Sequence, residues 1–137
     1  MIYSKENLNF KSFSIRLFLF GITFIFGSHI YIAAGYTDLR RGIDGLVAII
    51  KNDFNLNPYD QDSIYLFCGR RTDRIKAIVF EGDGHILLYK RLVDGKFQWP
   101  RSPEEVNHIT LQQYRWLMDG LAIEQKKVIK HKTPTLI

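Results

Sequence analysis

A strand that leads straight into a helix constrains this 137-residue chain more than any other feature. Residues 36–46 read Tyr-Thr-Asp-Leu-Arg-Arg-Gly-Ile-Asp-Gly-Leu. Before them, residues 30–34 form an apolar stretch of strand length. After them, Ile43, Leu46, Val47, Ile50 and Phe54 fall on one stripe of a helix. Thr37 or Asp38 is placed to cap that helix, which puts Arg40 and Arg41 in its first turn. The macrodipole disfavours basic side chains there, so the paired arginines point to an anionic partner. Asp44, four residues beyond Arg40, offers the simpler explanation of a local ion pair. Asn55 tolerates left-handed geometry and Pro58 forbids continuation, so the helix ends between them.

The next segments are strands. Residues 63–68 are apolar at every position but the first, as in a strand buried on both faces. Residues 69–73 make a turn into a strand at 75–80, and Gly82-Asp83-Gly84 turns the chain into another at 85–92. Asp94-Gly95, a two-residue hairpin signal, leads to a fourth at 96–99, which completes an antiparallel meander. Two helix starts follow. Ser102 precedes Pro103, Glu104 and Glu105, and Thr110 with Gln113 forms a capping box for a helix that buries Leu111, Tyr114, Leu117, Met118 and Leu121 and ends at Gly120.

The size fits one domain with a full core. Hydrophobic residues at 46% and charged residues at 24% exclude a disordered chain. Residues 17–36 carry no charge and follow Lys5, Lys11 and Arg16, a pattern shared with signal peptides and anchors. A spanning helix of about 20 residues consumes the first strand of the domain. Three readings of this leader are therefore ranked: an extension outside the domain, an apolar helix packed on it, and, last, a membrane anchor within residues 13–36. One cysteine, Cys68, excludes an internal disulfide and fits a reducing compartment, where a small buried hydrophobe is its expected role.

The formal net charge of +5 decides little by itself; its placement says more. Arg70, Arg71, Arg74 and Lys76 crowd one turn and strand start, where guanidiniums can contact adjacent phosphates. Lys90, Arg91 and Arg101 continue the basic surface, interleaved with Tyr89, Phe97 and Trp99. A hairpin tip also needs solvated charge and an edge strand needs lysines, so mere solvation is the competing reading of the same residues. Scattered histidines, and carboxylates that sit beside glycines or at caps, give no metal site, and no cofactor is expected.

Several ordered runs carry a resemblance. These are residues 30–46, then Leu66-Phe67-Cys68-Gly69-Arg70-Arg71, then Glu81-Gly82-Asp83-Gly84 with Leu88-Tyr89-Lys90-Arg91. Phe97-Gln98-Trp99-Pro100-Arg101 and Arg115-Trp116-Leu117-Met118-Asp119-Gly120-Leu121 complete the set. Together they resemble the TnpB accessory protein of the insertion-sequence-66 family of bacterial transposable elements, over about residues 26–123. The resemblance implies a non-enzymatic helper encoded beside a separate, larger transposase that carries the catalytic carboxylates. It shares only a name with the RNA-guided nuclease called TnpB.

The expected fold class is α+β in the order β-α-β-β-β-β-α-α: one mixed, mostly antiparallel sheet, a long helix packed on it and two C-terminal helices. Residues 1–25 are read as leader, 26–123 as the domain and 124–137 as a basic tail. The expected role is a cytoplasmic, non-catalytic accessory protein of transposition, with the transposase and the DNA of the element ends as partners and no small-molecule substrate. Arg40, Arg41, Arg70, Arg71, Arg74, Lys76, Lys90, Arg91 and Arg101 are its candidate DNA contacts. An adaptor that binds the transposase through Trp99 and Trp116 is the alternative. A small nuclease using Asp38 or Asp44 ranks third.

Overall fold

The computed structural model describes residues 29–102, 106–125 and 129. The leader assigned to residues 1–25 and most of the tail assigned to 124–137 lie outside the described residues. Strand β1 is His29–Ala33, and helix α1 is Ile43–Ala48, continued by a π-helical turn at Ile49–Asp53. Strands β2 (Ser63–Cys68), β3 (Arg74–Phe80), β4 (His85–Arg91) and β5 (Val106–Ile109) precede helix α2 (Leu111–Met118).

The five strands form one mixed sheet in the order β4-β3-β2-β1-β5. Only β1 and β2 run parallel, with His29 opposite Ser63 and Ile32 opposite Leu66. The continuous apolar run of β2 places it in the middle, where all of its residues are buried. Alternation along the strands sends Ile64, Leu66 and Cys68 to one face, under Phe97, Trp99 and the α2 residues Tyr114 and Leu117. Tyr65 and Phe67 go to the other, where Leu46 of α1 and Ile50 of the π-helical turn cover them. Fully burying a side chain such as Phe67 or Leu46 stabilises the fold by roughly 1.5–3 kcal/mol. The stripe read from the sequence therefore packs as expected, and Asn55, at φ +53, supplies the left-handed residue that stops the helix.

Four expectations change. First, α1 starts later than its sequence suggested. Gly42, extended at φ −91 and ψ −159, is its N-cap and makes no side-chain capping bond. Arg40 and Arg41 precede the helix in a turn closed by the Arg41 N–H on the Asp38 carbonyl. Second, residues 96–99 make no strand. The Phe97 N–H donates to the Thr72 carbonyl and Leu92 N–H to that of Asp73, so the segment folds onto the β2–β3 turn and sends Phe97 and Trp99 into the core.

Third, the helix expected after Ser102 is absent from the described residues that follow it. Val106–Ile109 is instead an edge strand on β1, pairing Ile109 with Ile30. An open β1 edge needs a partner, and this tertiary demand overrides the local helix signal. The described residues thus hold two helices rather than one long helix and a C-terminal pair. Fourth, Leu121 is 42% exposed, past the end of α2. The second capping signal holds: Thr110 Oγ1 accepts from Gln113 N–H, Gln113 Oε1 accepts from Thr110 N–H, and Gly120 at φ +83 closes the helix. Among the described residues, no helix is long and apolar enough to cross a membrane.

Candidate nucleic-acid interface

Because β1 and β2 run parallel, they leave the sheet side by side at the same end. The β1–α1 loop and the β2–β3 turn, well separated in sequence, therefore become neighbours. Thr37 N–H donates to the Cys68 carbonyl and Lys76 Nζ to the Arg41 carbonyl, joining the two segments. β3 begins and β4 ends here as well, with Arg74 directly across from Arg91. Like charges facing one another across a sheet are unfavourable. Asp73 offsets one of them, holding Arg74 Nε at 2.9 Å.

These loops enclose an open cavity of about 660 Å³, lined by Arg40, Arg70, Arg71 and Arg74 with Tyr36 and Tyr89 among its walls. Tyr36 also lines a second, smaller cavity of about 270 Å³ that includes Arg41. Arg40 grips Asp38 through Nε and Nη2 at 2.9 and 2.8 Å. This hydrogen bonding holds the Asp38 carboxyl down at about 2. Asp73 is likewise lowered, first by the hydrogen bond from Arg74, and lies 3.7 Å from Arg71.

Arg70 differs from these neighbours. Its guanidinium lies 4.5 Å from the centre of the Tyr36 ring and donates to the Tyr36 hydroxyl at 2.8 Å. It makes no ion pair among the described residues. The phenol fixes its direction without neutralising it, so an exposed cation is aimed by a neutral group. With four guanidiniums against two carboxylates, the basin remains positive.

Over residues 28–128 the sequence matches the family described as IS66 Orf2 like protein. The chain belongs to that family. It is also 34% identical to each of two uncharacterized proteins of Sinorhizobium fredii (strain NBRC 101917 / NGR234). The match to y4jC covers 81% of this chain and 94% of that protein, and the match to y4hO covers 67% and 79%. No solved structure matches. Membership of the IS66 Orf2-like family makes this a transposition-associated protein, and the matched span contains every residue of the basin.

The IS66 Orf2-like fold brings some sequence candidates together and separates others. Arg40, Arg70, Arg71 and Arg74 share the basin, Arg41 and Lys76 adjoin it, and Arg91 sits across from Arg74 at the same end. Lys90 alternates with Tyr89 and Arg91 along β4 and so belongs to the opposite face of the sheet. Arg101 is a fastener: its Nη1 donates to the Gly35 carbonyl and its Nη2 to those of Gly69 and Arg70. Trp99 is 5% exposed and bonded within the core, which removes it from any docking surface, while Trp116 is half-buried on α2.

Asp38 is committed to Arg40, and Asp44 is exposed on α1 and is not the partner of Arg40. The site residue the sequence left unremarked is Tyr36, 56% exposed; Tyr89, read there only as interleaved with the basic residues, is 53% exposed. Their signal was aromatic rings immediately flanking arginine- and lysine-bearing segments.

Proposed function

We propose that this protein acts as a non-catalytic accessory subunit in transposition, working with the element's transposase and holding DNA by its phosphate backbone in the arginine basin. The observation that carries this reading is the Arg70–Tyr36 pair. A guanidinium oriented by a phenol and left without a counterion offers a phosphate an unneutralised, preformed donor pair. Arg71, Arg74 and Arg40 stand around the same hollow, where they add charge at short range. Family membership supplies the setting, since a protein associated with a mobile element works where DNA is exchanged. An acidic segment of the transposase is the second reading. It is favoured by the basin's evident capacity for carboxylates, which Asp38 and Asp73 already demonstrate.

A salt series separates the two. Binding to duplex DNA of the element ends should weaken with salt at a log-log slope of about 0.9 per phosphate neutralised. Arg70→Ala combined with Arg71→Ala should lower that slope by about 2. An unaltered slope and affinity in the double variant overturn the DNA reading. Loss of transposase copurification in the same variant, with DNA binding intact, selects the acidic segment.

A further inference from the structure

We infer that the basin is built for an unpaired DNA strand, with Tyr36 and Tyr89 as stacking surfaces for exposed bases. This rests on the proposed backbone contact at the arginines and adds the form of DNA that fits there. Two tyrosines more than half exposed line the same hollow as the guanidiniums. Their distinguishing feature is not exposure alone but the shared basic hollow, where two rings offer flat faces beside guanidiniums to a ligand with a flat apolar face.

Each ring is also dressed with a cation. Arg70 lies over Tyr36, and Lys76 Nζ lies 5.6 Å from the Tyr89 ring centre. A base on the ring beside a phosphate on the neighbouring cation is the repeating unit of a single strand. A duplex keeps its bases in the stack and offers phosphates and base edges but no free base face, so it has nothing to lay on the two rings. Tyr36 borders both cavities, so the second hollow, with Arg41 in its lining, shares a wall with the basin.

The test compares an oligothymidylate of roughly 12 nucleotides with a duplex of the same length, on the full chain at fixed salt. The wild type should bind the single strand more tightly, with a salt slope of about 0.7 per phosphate. Tyr89→Leu should weaken single-strand binding about tenfold and leave duplex binding within about twofold, whereas Tyr89→Phe should retain the single-strand affinity. Equal affinity for both forms, or a leucine variant as tight as wild type, overturns the stacking inference while leaving the backbone reading intact. Arginine variants that bind both forms like wild type overturn the backbone reading itself. A circular-dichroism melt of each variant confirms that the exposed substitutions leave the fold unchanged.

Discussion

Trp99 donates its indole Nε1–H to the carbonyl oxygen of Ala33 across 2.7 Å, in a site only 5% exposed. The bond pins the segment after β4 to the exit of β1, and so fixes the base of the loop that carries Arg40. Trp99→Phe keeps most of the apolar bulk but leaves a buried carbonyl unpaired. The expected loss is about 1–3 kcal/mol, read from the urea midpoint at unchanged m-value. A variant as stable as wild type removes the bond's importance.

The Asp38–Arg40 pair predicts stability and binding moving in opposite directions. A carboxyl whose folded-state value sits at about 2, below its ordinary 3.8, stabilises the fold once pH is above the ordinary value. That contribution is lost as pH falls from about 4 toward about 2. Asp38→Asn should therefore be less stable than wild type near neutrality and converge with it at the acid end, measured by urea titrations across the range. The same change releases Arg40, so DNA should bind more tightly. Weaker binding by Asp38→Asn contradicts the electrostatic account of the basin.

Tyr114 is 3% exposed, and its hydroxyl finds no hydrogen-bond partner among the described residues. Burial alone raises its ionisation well above the usual phenol range. Desolvating a hydroxyl without a partner is unfavourable, so Tyr114→Phe should stabilise the protein, by about 1 kcal/mol. Thermal unfolding measures this, and a lowered midpoint would show that the hydroxyl is satisfied.

The Cys68 thiol is fully buried, and burial pushes it up to about 11. It should resist alkylation in the native protein at a pH of about 8 and react fully in denaturant. Labelling that tracks the unfolding transition confirms this placement; rapid native labelling refutes it.

Much of the fold was legible wherever one local pattern met no competitor. The α1 stripe, the all-apolar β2, the Asn55 stop and the Thr110 capping box each follow from neighbours within a few residues. Failures came where distant demands decided. Residues 106–109 became a strand because β1 had a free edge, and residues 96–99 left the meander because the Thr72 carbonyl takes the Phe97 N–H. The gathering of arginines followed from the parallel pairing of β1 with β2, which no local spacing reveals. Their partial neutralisation was half legible: an ion pair was anticipated for Arg40, but with Asp44, whereas Asp38 lies closer once the turn forms. Trp99 looked like a surface anchor by residue type, and only the register of its loop shows it turned inward.

Arg101 spends its guanidinium on the carbonyls of Gly35, Gly69 and Arg70, one rivet through two separate rims. Neither rim can shift without dragging on the other. A load applied at Arg70 is thus transmitted to the base of the segment bearing Arg40, and the hollow tightens or slackens as a single mechanical part.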